Sequence, residues 1–198
     1  MPKFEVELKK VVDDSYEIEI GHGLLDLVVA DLATVWLENF INLRLSQTAM
    51  WNRCMHVHWN RNCWMTGYQT DVFVFPAGEK SKTRQTKAMI EDAMLEKGYR
   101  RDCCILAVGG GVVTDLAGFI AGTYGRGVPF INYATSLLAA ADASVGGKTA
   151  VDTPLATNLI GLINQPKKSI SGSGYLENIA TARDLQRTGR DHQACVSG

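Results

Sequence analysis

The feature that most constrains the fold is a run of three glycines between an apolar strand and an apolar helix. Residues 103–108 form a continuous apolar run, which is typical of a strand buried in a parallel sheet. Gly109, Gly110 and Gly111 follow and open a seven-residue segment that ends at Asp115, and residues 116–121 then predict a buried helix. A strand, a tight glycine turn and a helix in this order predict an α/β fold with a parallel sheet.

The same turn is a candidate site for a phosphate group. Glycine allows the backbone to approach a ligand closely, and a helix N-terminus offers unpaired N–H groups with a partial positive charge. The alternative is a strand-to-helix turn that binds nothing. Neither standard motif fits in full. The G-x-G-x-x-G motif has Thr114 in place of its last glycine, and the Walker-like end at residues 147–149 has Asp142 where a glycine is required.

Size and composition favour a soluble cytoplasmic protein with one sizeable domain. The chain has 198 residues, of which 46% are hydrophobic. Its net charge of -1 gives no reason to expect nucleic acid or an anionic membrane as a partner. No apolar run is long enough to span a bilayer, and the charged start at residues 1–7 is unlike a signal peptide. The five cysteines lack disulfide-framework spacing, which favours a reducing compartment.

The rest of the chain alternates strand and helix patterns, with two irregular segments. We expect an antiparallel hairpin from residues 4–8 and 16–20, strands at 71–75 and 129–133, helices at 83–97 and 135–143, and a second glycine-rich turn at 145–152. Residues 34–70 hold all four tryptophans and predict no regular structure. Cys54, His56, His58 and Cys63 lie there, but their spacing is not that of a zinc site. We expect an α/β domain over residues 1–168 and a polar, weakly ordered tail over residues 169–198.

Two further sets of charged residues are candidates for ligand contact. Asp142 ends an apolar helix pattern and Lys148 is framed by a glycine-rich turn, so the two could bind a charged ligand or form a structural ion pair. Glu79 and Lys82 would ordinarily be solvated loop charges, but their place just beyond the end of a predicted strand also makes them candidates for ligand contact.

Residues 71–168 resemble the 3-dehydroquinate synthase family, and most closely the N-terminal domain of the fungal pentafunctional arom polypeptide. The resemblance is carried, in order, by residues 76–87, 109–118, 123–128, 142–154, 158–161 and 165–167. It implies an N-terminal NAD-binding α/β domain, with a parallel sheet, flanking helices and an N-terminal β-hairpin. The family's C-terminal helical domain has no counterpart in this sequence.

The resemblance also implies a reaction and its cofactors. The family converts 3-deoxy-D-arabino-heptulosonate 7-phosphate to 3-dehydroquinate and phosphate, a lyase step of the shikimate pathway toward aromatic amino acids. It uses NAD as a catalyst and a divalent metal, usually zinc. By this resemblance, the NAD-binding residues would be Glu79, Lys82, Gly110, Gly111, Val112, Asp115, Thr135, Ser136, Leu138 and Asp142. Asp142 would also lie near the sugar-phosphate substrate, which Lys148, Arg126 and Asn158 would hold.

Departures from the family pattern leave alternatives open. Thr157 replaces a lysine that normally contacts cofactor and substrate, and the family's glutamate and histidine metal ligands have no match in the sequence. We therefore expect that this chain alone does not turn over substrate and binds NAD weakly or not at all. A non-catalytic NAD-binding remnant and a related sugar-phosphate cyclase are the alternatives, and a homodimer is left open.

Overall fold

The computed structural model describes residues 13–21, 41–46 and 70–172. The strands are β1 Glu17–Gly21, β2 Ile41–Ser46, β3 Thr70–Val74, β4 Cys103–Gly109, β5 Phe130–Ala134, β6 Lys148–Thr153, β7 Ala156–Ile163 and β8 Lys168–Gly172. The helices are α1 Arg84–Glu96 and α2 Gly111–Thr123. Short 3₁₀ turns occupy Glu79–Ser81 and Tyr124–Arg126, and a π-helical turn occupies Ala139–Ala143.

Within the described residues, six strands form one sheet in the order β1-β8-β5-β4-β2-β3. Every neighbouring pair in this sheet is parallel. β4 lies at its centre and all its residues are buried, as its unbroken apolar run predicts. The expected α/β class with a parallel sheet is confirmed.

Helices α1 and α2 contribute buried residues to one core with β3, β4 and β5, and α2 packs directly against β4 and β5. Helix α1 begins after Thr83, whose side chain accepts a hydrogen bond from the Thr86 backbone N–H, and ends before Gly98 with φ of +79°. Helix α2 buries residues on most of its faces, because the sheet lies on one side and the β6–β7 hairpin on the other. The core runs from Phe73 and Ile105 through Leu116 and Ile120 to Val151.

The β6–β7 hairpin corrects the second predicted glycine turn. Residues 145–152 were expected to form a turn, but β6 begins at Lys148 and pairs antiparallel with β7. Of the expected range, residues 145–147 belong to the turn, and they include the positive-φ pair Gly146 and Gly147. The two strands approach closely at Gly161, where a Cβ would overlap the Thr149 carbonyl oxygen, so this position requires glycine.

Two strands occupy segments where none was predicted. β2 lies inside the irregular segment 34–70 and separates β3 from β4. β8 runs from Lys168 to Gly172 and lies between β1 and β5, so the sheet continues past residue 168, where the α/β domain was expected to end. The polar, weakly ordered tail was expected to begin at residue 169, but Ser169 and Ser171 are buried in the sheet.

The expected strand at residues 16–20 is confirmed as β1, which pairs parallel with β8. Its proposed hairpin partner at residues 4–8 lies outside the described residues, as does the Cys54–Cys63 cluster. In the part of the chain that the structure describes, neither helix combines the length and the apolar character of a membrane span.

Candidate functional site

The N-terminus of α2 is open at the edge where β4 and β5 end. Gly110 precedes the helix, and no side chain caps it. The backbone N–H groups of Val113 and Thr114 donate to the Gly110 carbonyl at 3.0 and 3.2 Å. Gly111 and Val112 occupy the first two helical positions, whose N–H groups have no partner inside a helix. Residues 110–112 are half-buried, which leaves these N–H groups accessible to an anion.

Tight packing explains the glycines at this turn. A Cβ on Gly109 would lie 2.5 Å from Val113 Cγ2, and one on Gly111 would lie 3.2 Å from the Ala143 Cβ. The Thr135 N–H donates to the Gly109 carbonyl at 2.9 Å, so the ends of β4 and β5 are tied together. Ser136 Oγ accepts from the Ala139 N–H at 3.2 Å and begins the short helical turn there. The structure thus brings Thr135 and Ser136 beside the glycine turn.

Lys82 lies at the junction of three segments. Its side chain is 3% exposed, and its ammonium contacts Asp115 Oδ2 at 2.6 Å, Glu79 Oε1 at 3.2 Å and Asn158 Oδ1. These partners come from the loop after β3, from α2 and from β7. The junction is closed by Asp152, whose backbone N–H donates to the Lys82 carbonyl at 2.7 Å. We call Lys82, Glu79, Asp115 and Asn158 the Lys82 cluster.

Burial and charge act against each other in this cluster. Burial alone would lower the pKa of Lys82, but the hydrogen bonds and charges of Asp115 and Glu79 outweigh it and raise that pKa above its usual value. Burial raises the pKa of Asp115, Lys82 opposes this rise, and the carboxylates of Glu79 and Asp142 add to it. Asp142 therefore lies near enough to Asp115 for its charge to affect the pKa of Asp115.

A cleft of about 620 Å³ opens beside this cluster. Asp115, Asp142, Lys148 and Asn158 all line it, together with the backbone around Gly146 and the apolar Leu159 and Ile163. Asp142 and Lys148 are both exposed, and none of the salt bridges between described residues joins them, so the alternative ion pair is not formed there. The cleft presents carboxylate, amide and ammonium groups together.

Other predicted residues lie farther away. Arg126 is exposed in the turn after α2, whose 13 residues put it roughly 20 Å from the helix N-terminus. The structure therefore does not bring Arg126 to the cleft within this chain. Leu138 is 68% exposed on the Ala139–Ala143 turn. Glu79 reaches the site through its bond to Lys82.

Sequence reasoning missed the residues that hold the segment between Asp142 and Lys148. Asn132 Nδ2 donates to the Ser144 carbonyl at 3.2 Å, and the hydroxyls of Ser169 and Ser144 are 3.0 Å apart. All three residues are buried. The only signal in the sequence is polar residues in strand patterns, which does not reveal their partner.

The described residues hold no group of three or more His, Cys, Asp or Glu side chains that could bind a metal ion.

The family model described as 3-dehydroquinate synthase N-terminal matches residues 72–186. The chain belongs to the 3-dehydroquinate synthase family. It is 52% identical over 108 residues to a pentafunctional AROM polypeptide of Komagataella phaffii, covering 54% of this chain and 7% of that protein. It is 37% identical over 179 residues to a 3-dehydroquinate synthase of Latilactobacillus sakei, covering 90% of this chain. The chain spans 49% of the length of that bacterial relative.

Solved structures of related enzymes share the fold of this family member. ValA, a 2-epi-5-epi-valiolone synthase of Streptomyces hygroscopicus with NAD⁺ and Zn²⁺ bound, has a TM-score of 0.72 at 26% identity, covering 87% of this chain and 46% of its own. A 2-deoxy-scyllo-inosose synthase complexed with carbaglucose-6-phosphate, NAD⁺ and Co²⁺ has a TM-score of 0.71 at 23% identity, covering 81% and 43%.

Proposed function

We propose that this chain is the NAD-binding part of a 3-dehydroquinate synthase, a cytoplasmic lyase that converts 3-deoxy-D-arabino-heptulosonate 7-phosphate to 3-dehydroquinate and phosphate. The observation that carries the proposal is the open N-terminus of α2 in a member of this family. Its N–H groups have no partner in the described residues, and the glycine turn allows close approach.

NAD fits this edge of the sheet. The diphosphate would be held by the N–H groups of residues 110–112, and Thr135 and Ser136 lie beside them. Asp115 and Asp142 line the cleft, as does Ala143, which lies against Gly111 of the turn. When bound, NAD would supply a hydride acceptor that oxidises a substrate hydroxyl and later returns the hydride. Contacts of Glu79 and Leu138 with the cofactor remain predictions from the family resemblance.

The substrate would bind in the cleft through side chains of both charges. Lys148 is exposed there and can bind a phosphate or carboxylate oxygen. Asn158 and Asp142 can hydrogen-bond sugar hydroxyl groups. A direct role for Arg126 would need substrate outside this cleft, because the residue lies at the other end of α2.

The described residues do not fit a divalent metal, because they offer no ligand set. No step is therefore assigned to a metal here. We expect that the chain, given NAD, zinc and the heptulosonate phosphate, releases no phosphate above background.

A related sugar-phosphate cyclase is the second candidate, favoured by the fold shared with ValA. Sequence identity weighs against it. The chain is 52% identical to the fungal polypeptide over 108 residues, against 26% to ValA. Calorimetric titration with each enzyme's sugar-phosphate substrate would separate the two.

The cofactor proposal is tested by placing a carboxylate at the open helix N-terminus. Val112→Asp would repel a diphosphate, whereas Gln85→Asp adds the same charge at the second position of α1 and is the matched control. We expect wild type and Gln85→Asp to bind NAD with similar affinity and Val112→Asp to bind it at least tenfold more weakly. Calorimetric titration measures this. Equal affinity in all three proteins would contradict the assigned position of the diphosphate.

A further inference from the structure

Asp142 and Lys148 carry opposite charges and line the same cleft, yet they do not pair. They lie close together in the sequence, both side chains are exposed, and no salt bridge joins them within residues 13–21, 41–46 and 70–172. Opposite charges on a flexible loop attract each other. The segment between the two residues must therefore be held in a way that keeps them apart.

Ser144 anchors this segment to the sheet. Its carbonyl accepts from Asn132 Nδ2 at 3.2 Å, and its hydroxyl lies 3.0 Å from Ser169 Oγ. Asn132 of β5 is paired in register with Ser169 of β8, so the two side chains lie side by side on one face of the sheet. All three residues are buried. Buried polar groups are costly unless they are hydrogen-bonded, so this arrangement fixes the position of Ser144.

The backbone on either side of this anchor is fixed as well. The Ser144 N–H donates to the Ala139 carbonyl at 2.9 Å and closes the π-helical turn that carries Asp142. On the side toward β6, the Gly146 N–H donates to the Tyr16 hydroxyl at 3.0 Å. The segment is thus bound to β5, to β8 and to the residue before β1.

We infer that Asn132 and Ser169 are positioning residues, which act through Ser144. By fixing the segment, they keep the charges of Asp142 and Lys148 apart, and both groups stay available to a ligand. Neither Asn132 nor Ser169 lines the cleft, so neither would touch that ligand. A preorganised site also spares ligand binding the cost of first separating an ion pair. This inference rests on the proposed function, which places a sugar phosphate in the cleft.

Strand β8 supplies a matched control. Ser171 is buried on the same face of the sheet as Ser169, but its hydroxyl has no hydrogen-bond partner in the described part of the chain. Ser169→Ala and Ser171→Ala therefore make the same change in the same strand, and only the first removes a bond to Ser144. Asn132→Leu removes the other bond and keeps a side chain of similar size.

The first readout needs no ligand. Reductive methylation modifies the neutral amine of lysine, and a neighbouring carboxylate favours the charged form, which does not react. Once the segment is released, Lys148 should pair with Asp142. Its rate of methylation should then fall about two- to fivefold relative to exposed Lys80, the range expected for an exposed ion pair. Peptide mass spectrometry measures both rates.

The fall should appear in Asn132→Leu and in Ser169→Ala, and the rate should stay at the wild-type value in Ser171→Ala. Adding Asp142→Asn to either of the first two variants should return Lys148 to the rate it has in Asp142→Asn alone, because no carboxylate is left to pair. A general loosening of the fold would not be reversed by this change.

Three results of the labelling would overturn the inference. They are unchanged rates in both variants, an equal fall in Ser171→Ala, and a fall that persists when Asp142→Asn is added. Unfolding of both Asn132→Leu and Ser169→Ala, judged by circular dichroism, would also overturn it, since the two residues would then support the whole fold.

The second readout tests the consequence for binding. Calorimetric titration with the heptulosonate phosphate in the presence of NAD should give the same affinity for wild type and Ser171→Ala. Binding should be about two- to fivefold weaker in Asn132→Leu and Ser169→Ala. Equal affinity in all four proteins would overturn the positioning role. If wild type does not bind the sugar phosphate, the proposed function fails, and the labelling result still decides whether the two charges are held apart.

Discussion

Two charged clusters in this protein differ in what they leave unpaired. In the Lys82 cluster, Asp115 and Asn158 each keep one polar atom toward the cleft. The Tyr99 cluster consists of Asp71, Lys97, Tyr99 and Tyr124 and lies at the start of β3 and β4. Tyr99 donates to Asp71 Oδ2 at 2.7 Å, Lys97 contacts Asp71 Oδ1 at 2.8 Å, and the Tyr124 hydroxyl donates to the Tyr99 carbonyl at 2.7 Å.

This difference between the two clusters predicts that one contributes to stability and the other to ligand binding as well. Both carboxylate oxygens of Asp71 are bound within the Tyr99 cluster, one by Lys97 and the other by Tyr99. Burial raises the pKa of Tyr99, and its hydrogen bond to Asp71 raises it further, so the hydroxyl stays a donor. In the Lys82 cluster, the ammonium instead contacts Asp115 and Asn158, and both of these side chains also line the cleft. We expect changes in the first cluster to alter stability alone and changes in the second to alter both stability and binding.

The largest effect is expected for Lys82→Met. The variant leaves Asp115 largely buried without its cation, and breaking a buried pair from one side costs about 3 kcal/mol. It also releases the Asn158 amide. Urea unfolding should show this loss, and any folded fraction should bind NAD more weakly than wild type. A variant as stable as wild type would show that the pair contributes little.

Tyr99→Phe should cost about 2 kcal/mol, because Asp71 loses a buried donor but keeps Lys97. NAD affinity should not change, since the site lies at the other end of the sheet. Urea unfolding and calorimetric titration together check this. A loss of NAD affinity would contradict the separation of the two clusters.

Alkaline pH should weaken the fold through Tyr99. Its raised pKa means that the folded protein keeps the hydroxyl protonated, while the unfolded chain ionises it near pH 10. This contribution is therefore complete below about pH 10 and is lost as the pH rises above it, by at most about 1.4 kcal/mol per pH unit. Unfolding free energies at pH 8.5 and 10.5 should fall less in Tyr99→Phe than in wild type. Equal slopes would argue against the shift.

The smallest effect is expected for Thr83→Ala, at about 1 kcal/mol. It removes the cap of α1, which accepts from the Thr86 N–H at 3.2 Å. The backbone bridge between Thr83 and Asp152 needs no side chain, so the Lys82 cluster should stay in place. Thermal unfolding should register the loss while NAD affinity stays at the wild-type value. Weaker NAD binding would show that the cap also supports the cluster.

Secondary structure elements were predictable where their own residues carry the signals that define them. β4 has an unbroken apolar run, α1 carries both its cap and its terminal glycine, and α2 follows three glycines. β2 and β8 were missed, because the strands that pair with them lie far away in the sequence. The β6–β7 hairpin was missed although its two strands are neighbours in the sequence, since it also packs against α2, a contact that the local pattern does not reveal. Ser169 is the clearest case, since a buried serine in a central strand becomes favourable only when Ser144 comes within hydrogen-bond distance.

The candidate site was also predictable in part. The sequence placed Asp142, Lys148 and Asn158 together as ligand contacts, and the structure brings all three to one cleft with Asp115. The sequence did not predict which protein groups each of these side chains contacts. Lys82 was expected to touch the cofactor, yet its three donors are taken by protein acceptors. Arg126 was grouped with these residues, yet α2 separates it from them.

By itself, the sequence determined the family, the α/β class and the glycine turn that opens α2, because these depend on residue types at fixed short spacings. Only the tertiary structure decided which polar atoms are satisfied and which remain available in the cleft. The physical reason is that an ammonium or amide is committed by the acceptors that surround it, and those arrive from loops, helices and strands far apart along the chain.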